Sequence, residues 1–401
     1  MKFFLYGYYT RSNFGDFLIA RALLKLLEVY VPSAHIYIYW RDSLVPPSLR
    51  GNPRVHVIKR PENFKNLLTL LKVLLCVDVV IVGGGQKYRW SMKSGLAPQL
   101  IIPCLSKILG KRLLFLSVGV EPVRDLLWAG LVKESFNAAD GASVRDLISF
   151  HYLKSIGVGC VLSSDLVFYY IMNYYGQLNS LKRRCSRMKH GVVKNVGLAI
   201  RCSEIAYDLL TRYFPDLIAK LARNYTVTLL PATLGDLAIY RRILNQMPPS
   251  IKQRVVIEEN LDHVHIIKVL AKLDVILSTR LHFLLFALAL DIPIIGINYP
   301  VKVHALCREL GPVCDVRDTD RIFNAVAFAS CCPLKYNKFL RKNFDKVLRN
   351  IKLLRIVTSK RSRNIFASLS IRLRLIPWFL FICILKFVNF PKLYRDLKLP
   401  P

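Results

Sequence analysis

The chain is poor in acid. Against 59 lysines and arginines it sets 26 aspartates and glutamates, a formal charge of +33 on 401 residues. A surplus of that size draws a protein to something anionic: nucleic acid, a membrane surface or a phosphorylated substrate. Long apolar runs are missing too. Hydrophobic residues make up 53% of the chain, too many for disorder. They are spread over short runs, whereas a bilayer crossing takes about 20 consecutive apolar residues, which argues against a polytopic membrane protein. The ten cysteines form no CxxC pair, and the adjacent Cys331-Cys332 has no His or Cys at metal-ligand spacing. Reduced thiols in a cytosol and no metal centre are the expectation. The apolar start, Met1 to Gly7, is too short for a signal peptide and lacks a small-residue cleavage site, so it reads as a first strand. GxGxxG, the P-loop lysine with its Ser/Thr, GxSxG and HExxH are all absent, which removes the cues for dinucleotide binding, NTP hydrolysis, serine hydrolysis and zinc proteolysis.

What is present is alternation. Phe3-Leu5, His35-Tyr39, Val79-Val82, Leu113-Ser117 and Gly141-Val144 are short apolar or β-branched runs with longer helical patterns between them. That pattern predicts a doubly wound parallel α/β sheet. A basic interval around Gly176 to Asn195, with Lys182-Arg183-Arg184, is the linker candidate, and the alternation then restarts. Val196-Ile200, Thr226-Leu230, Arg254-Ile257, Val275-Leu277 and Ile294-Ile297 are its strands. The expected fold is therefore α/β with two Rossmann-like domains facing a cleft: 1–180, then 195–334, then a basic tail over 335–401.

The most informative stretch is Ser278-Thr279-Arg280-Leu281-His282. A buried strand ends before it, and the apolar run Phe283 to Leu290 favours a helix after it. Ser278 or Thr279 is the expected N-cap. Exposed helix N–H groups, the helix dipole and Arg280 then converge on a small anion, with His282 placed to move a proton. The alternative is that Arg280 pairs with a carboxylate and His282 packs in the core. Arg201 and Lys302 close other strands of the same half, so three cations and a histidine sit at strand ends.

In the first half, Gly7 to Asp16 follows the first strand. Gly15 permits close backbone approach, while Asn13 and Asp16 can bond sugar hydroxyls or cap a helix. Gly83-Gly84-Gly85 directly follows Val82, where flexible backbone can cradle a phosphate or a sugar. Glu121 reads as a loop carboxylate, Arg145 and Asp146 read as structural, and Ser164-Asp165 is expected to end a strand. His263 and His265, two apart in a stretch expected to be helical, read as surface residues rather than a metal pair.

Taken in order, these pieces resemble the polysaccharide pyruvyl transferase family. They are Gly7-Tyr8-Tyr9…Asn13-x-Gly15-Asp16, Asp78 to Gly85, Gly119…Pro122, Ser143-Val144-Arg145-Asp146-x-x-Ser149, Asp165, Arg280-Leu281-His282 and Tyr299…Lys302. The resemblance implies a GT-B architecture and transfer of pyruvate from phosphoenolpyruvate to a sugar as a ketal, without a cofactor. It implies that Arg201, Arg280 and His282 hold phosphoenolpyruvate, helped by Lys302, Ser278 and Thr279. Asn13, Gly15, Asp16, Gly84 and Gly85 then face the acceptor, with His282, Asp16 and Asp165 as the catalytic set. Phe17 stands where the family often has an acid, and Leu166 where a proline follows the aspartate; both departures bear on the acceptor.

The tail is outside the shared pattern. From Lys335 on, 17 lysines and arginines face two acids, Asp345 and Asp396. Its longest uncharged apolar run, Leu375 to Leu385, is too short to span a bilayer and contains Pro377. An interfacial segment on an anionic membrane is expected, each basic residue adding about 1 kcal/mol; the alternative is a helix packed on the N-terminal domain. No nucleic-acid module is recognisable; the resemblance implies a saccharide or lipid-linked saccharide as partner, which the basic tail is expected to meet at the inner face of the cytoplasmic membrane. The competing functions are a GT-B glycosyltransferase using a nucleotide sugar and a non-catalytic membrane-bound protein of the same fold.

Overall fold

Fourteen short strands carry the architecture among the described residues. The computed structural model describes residues 1–10, 12–42, 45–60, 64–88, 93–123, 125–174, 176–178, 180–181, 193–201, 207–297, 303, 306–307, 310–329, 336–359, 370–377 and 379–380. In the first sheet these are β1 (Lys2–Tyr6), β2 (His35–Trp40), β3 (Val55–Lys59), β4 (Val79–Gly83), β5 (Gln86–Tyr88), β6 (Arg112–Val120), β7 (Gly141–Val144) and β8 (Val161–Leu162). Their order is β3-β2-β1-β4-β6-β7-β8, with β5 on β6, and the pairings are parallel. Helices cover such a sheet on both faces, so its strands are continuous apolar runs rather than alternating ones. All five residues of β4 are buried.

The second sheet repeats the plan. It contains β9 (Asn195–Ala199), β10 (Thr226–Leu229), β11 (Val255–Ile257), β12 (Val275–Ser278), β13 (Ile294–Ile297) and β14 (Val313–Cys314), ordered β11-β10-β9-β12-β13-β14 and parallel. In both sheets the order reverses beside the first strand, between β1 and β4 and between β9 and β12. Crevices for ligands open at the carboxyl ends of such strands. An aspartate pins each reversal from the other end. Asp78 accepts from the backbone of Lys2 at 2.7 Å, and Asp274 accepts from Lys194 and Asn195 at 2.8 and 2.7 Å.

The chain divides into two units that do not follow simple halves. One comprises Met1–Thr10, Ile19–Tyr169 and Asn343–Pro401, the other Arg11–Leu18 and Tyr170–Lys342. Two expectations change with this. The Asn13 to Asp16 loop, placed by sequence in the N-terminal domain, belongs to the second unit. The basic segment 335–401 is not detached over its described part. Its helix Asn337–Thr358 is, from Asn343 on, part of the first unit. Asn350, 0% exposed, donates to Ser117 Oγ at 2.9 Å and Ser163 Oγ at 3.2 Å, and accepts from the Ser143 hydroxyl. Asn343 accepts from Ser164 Oγ at 2.9 Å, and Val347, Leu354 and Val357 are buried. Further on, Leu375 enters the apolar core beside Trp128 and Leu131. A sequence reading sees the cations of this helix; the fold uses its other face. The linker residues 182–192 lie outside the described residues.

Smaller differences have local causes. The strand expected to end at Ser164-Asp165 stops at Leu162, because Asp165 turns to start a helix by accepting from Val167 N at 3.1 Å. The strand expected to end at Ser117 runs to Val120 through a bulge, with Ser117 at φ 51°.

Candidate functional site

The joint between β12 and the helix Leu281–Ala289 lies where the sequence predicts it, at the reversal point of the second sheet. Its serine and threonine do not cap the helix. Ser278 Oγ donates to the carbonyl of Ala199 at 2.8 Å and accepts from Arg280 N at 2.7 Å. Thr279 Oγ1 accepts from Arg201 N at 2.6 Å. Both hydroxyls are therefore spent on tying the end of β9 to the end of β12. The N-cap is Arg280, in extended geometry (φ −104°, ψ 111°) and with no side-chain cap bond. A helix start without an acceptor side chain keeps its first N–H groups for another acceptor, which is the arrangement that receives anions.

Arg280 is held from behind. Its Nη2 pairs with Asp236 Oδ2, and Asp236 is 1% exposed on its side chain against 17% for the arginine. Asp236 also accepts from Ala232 N and Thr233 N, each at 3.1 Å, while Thr233 Oγ1 accepts from Asp236 N at 3.1 Å. This is a capping box at the start of the helix Leu234–Asn245. One turn on, Tyr240 accepts from Ile200 N at 2.8 Å and donates to Ile200 O at 2.7 Å. Residues four apart share a helix face, so Asp236 and Tyr240 brace Arg280 and the backbone ahead of Arg201 from one helix. Arg280 Nε is buried and has no hydrogen-bond partner among the described residues. Sequence reading missed Asp236; the signal was Thr233-Leu234-Gly235-Asp236, whose first and last residues fit a capping box.

His282, half-buried in the first turn of the Leu281–Ala289 helix, lies against the N-terminal loop. Asn13 Oδ1 accepts from Gly15 N at 3.1 Å and from Asp16 N at 3.4 Å, so the capping role weighed for Asp16 falls to Asn13. Phe14 stacks on Phe283 at 4.8 Å between centroids and meets Phe286 edge-on at 5.6 Å. Its backbone N–H donates to Ala232 O at 3.3 Å. Phe17 contacts the ring of His263 at 4.4 Å. His263 and His265, expected on the surface, are both half-buried in the first turn of a helix, His263–Leu270, that Asp262 caps.

Asp165, Gly84 and Gly85 belong to the first unit. Asp165 pairs with Arg145 at 2.8 Å, each side chain 6% exposed, and Arg145 also donates to Gln86 Oε1 at 3.0 Å. Asp146 caps the helix Leu147–Ser155. Gly84 and Gly85 have φ of +61° and +72°, which only glycine adopts cheaply. Gly84 N donates to Leu116 O and Gly119 N to Gly85 O, each at 2.8 Å, so this turn is bound to β6. The structure thus gathers Asn13, Gly15, Asp16, Arg201, Ser278, Thr279, Arg280 and His282 in one unit. It places Gly84, Gly85 and Asp165 in the other. Lys302 lies outside the described residues.

The fold is shared with solved structures of low sequence identity. The UDP-GlcNAc 2-epimerase of Methanocaldococcus jannaschii, in complex with UDP-GlcNAc and UDP, aligns with a TM-score of 0.61 at 12% identity, over 88% of this chain and 99% of that one. Anabaena HepE in complex with UDP and glucose aligns with a TM-score of 0.55 at 13% identity, over 89% and 99%. The UDP-GlcNAc 2-epimerase of Neisseria meningitidis bound to UDP-GlcNAc aligns with a TM-score of 0.52 at 11% identity, over 88% and 99%. At such identities these likenesses establish a GT-B-like fold and nothing finer. No curated protein matches in sequence. Residues 13–300 match the family defined as polysaccharide pyruvyl transferase, a span running from the Asn13 loop through the Arg280-Leu281-His282 joint. The chain belongs to the polysaccharide pyruvyl transferase family.

Proposed function

We propose that the protein transfers pyruvate from phosphoenolpyruvate to a sugar of a polysaccharide or glycolipid precursor, forming a pyruvate ketal. The observation that carries this reading is the state of Arg280. A buried carboxylate fixes its orientation, one guanidinium nitrogen is buried without a partner among the described residues, and it stands at a helix start with no side-chain cap. A guanidinium fork and a helix N-terminus suit a phosphate or a carboxylate, and phosphoenolpyruvate has one of each. Arg201, just past the end of the neighbouring strand β9, adds positive charge.

Protonation of the methylene carbon of phosphoenolpyruvate leaves an electron-poor centre at the adjacent carbon. One sugar hydroxyl adds there, phosphate departs with its bonding pair, and a second hydroxyl closes the ketal; the two hydroxyl protons balance the one gained by the methylene carbon and the one carried off by the phosphate. His282 takes a proton from an attacking hydroxyl or gives one to the leaving phosphate. Asp16, in the same unit, is the candidate helper, since Asp165 is committed to Arg145. Asn13 serves as a helix cap, which leaves acceptor contacts to neighbouring positions of its loop.

Incubation of the full-length protein with phosphoenolpyruvate and galactose- or mannose-type acceptors should release phosphate and add one pyruvyl mass to a saccharide. Turnover of a nucleotide sugar instead, with no phosphate release across the acceptor panel, overturns this reading.

The acceptor is proposed to be met at an anionic membrane surface. No helix among the described residues is long and apolar enough to cross a membrane. Near the C-terminus, Leu373 and Ile376 are exposed on the helical segment 370–377 that carries Arg374, and Leu380 is exposed beyond it. Replacing the three exposed apolar residues by Asp should abolish flotation with phosphatidylglycerol vesicles and leave the melting temperature unchanged. Undiminished flotation sinks the membrane proposal. Truncation at Lys335 is unsuitable, because it deletes buried residues of the first unit.

A further inference from the structure

Gly15 stands in the first turn of the helix Phe14–Tyr30 and is buried. Its backbone is not in the left-handed region, so conformation does not call for glycine there. Glycine is also a poorer helix former than alanine. The reason for its presence is the neighbour it faces. A methyl group on residue 15 would overlap His282 Nδ1 and stand 2.6 Å from Cε1 and 2.9 Å from Cγ, distances that no carbon pair tolerates without displacement. The bare α-carbon is therefore a wall against the imidazole.

The wall is itself fixed. Asn13 ties down two N–H groups of that turn, Gly15 N and Asp16 N. Phe14 locks the turn onto the His282 helix through Phe283 and Phe286, and to Ala232 through its backbone. Ala232 N in turn donates to Asp236, the residue that holds Arg280. One connected set of contacts thus positions both candidate phosphoenolpyruvate residues.

We infer that Gly15 is a positioning residue for His282: its missing side chain seats the imidazole in the orientation that the proton transfer uses, and the Asn13 to Asp16 turn serves the histidine as well as any acceptor. This rests on the pyruvyl transfer reading for the chemistry, but the contact can be tested apart from it.

Four full-length proteins decide the matter: Gly15→Ala, His282→Ala, the double variant, and Gly130→Ala as control. Gly130 is a helical glycine whose added methyl would meet nothing within 4 Å. The control should keep the wild-type rate of phosphoenolpyruvate-dependent phosphate release and the wild-type pH profile. Gly15→Ala should fold, lose at least tenfold in kcat and displace the pH profile, since the ring must turn away. Its melting temperature should fall in the wild-type background and rise in the His282→Ala background, where the methyl has room and only helix propensity counts.

A Gly15→Ala protein with wild-type kcat and pH profile overturns the inference. So does a change in melting temperature that is equal in both backgrounds. If the wild type releases no phosphate from phosphoenolpyruvate, the functional reading fails on its own. The thermal cycle then decides the contact, non-additivity supporting it and additivity removing it.

Discussion

Each unit carries an arginine just past the carboxyl end of a strand, and each arginine has a buried aspartate. Arg145 follows β7 and Arg280 follows β12. Arg145 and Asp165 are both 6% exposed, the arginine also bonds Gln86, and the aspartate also starts a helix. Arg280 is more open at 17%, its aspartate alone is buried, and one of its nitrogens has no partner among the described residues. The same pair of residue types on the same kind of scaffold is closed in one unit and open in the other. A saturated arginine is a strut. An arginine gripped through one nitrogen has donors to spare.

The sharpest way to break this comparison is to change both arginines. Arg280→Lys keeps the charge and loses the fork, so phosphoenolpyruvate-dependent turnover should drop about 10²-fold or more, with little change in melting. Arg145→Met should cost about 3–5 kcal/mol of stability by leaving the buried Asp165 carboxylate without the Arg145 guanidinium, while the KM for phosphoenolpyruvate in the folded fraction stays as in wild type. Equal kinetic damage from both, measured by initial rates, would erase the distinction.

Next in size is Asp236→Asn, which keeps an acceptor for Ala232 and Thr233 but removes the charge that grips Arg280. Stability should fall by roughly 1–3 kcal/mol, and KM should rise about tenfold through an arginine free to wander. Chemical denaturation and saturation kinetics measure the two effects. The smallest effect belongs to Tyr240→Phe. It leaves Ile200 N and Ile200 O without the hydroxyl that now serves both, costing about 1–2 kcal/mol in denaturant titration. Kinetics should change only through Arg201; an altered pH profile would mean that the brace reaches His282 as well.

Much of this was legible in the sequence because it is local. The run Leu273 to Leu277, the polar step at Ser278-Thr279 and the apolar Phe283 to Leu290 define strand, joint and helix within a few residues. The direction of the two hydroxyls was not legible, since they turn to Ala199 and Arg201 on a strand distant in sequence. Gly15 reads as room for a ligand, and the room proves to be taken by His282. The segment 335–401 reads as a basic tail for an anionic membrane, with a helix packed on the N-terminal domain as the alternative; its helix Asn337–Thr358 is, from Asn343 on, part of the first unit. Its buried Asn350 matches serines on or next to β6, β7 and β8, a coincidence visible only once those strands lie side by side.

The amino-acid sequence by itself determined the alternation of strands and helices, the strand-to-helix joint at Ser278 to His282, and membership in the family, because periodicity and motif order are properties of neighbouring residues. Tertiary structure alone decided which arginine is closed and which is open, that Asn13 to Asp16 lies with His282, and that the C-terminal helix is part of the first unit's core. Those outcomes depend on which distant strand ends the two parallel sheets bring together, and local pattern carries no record of that.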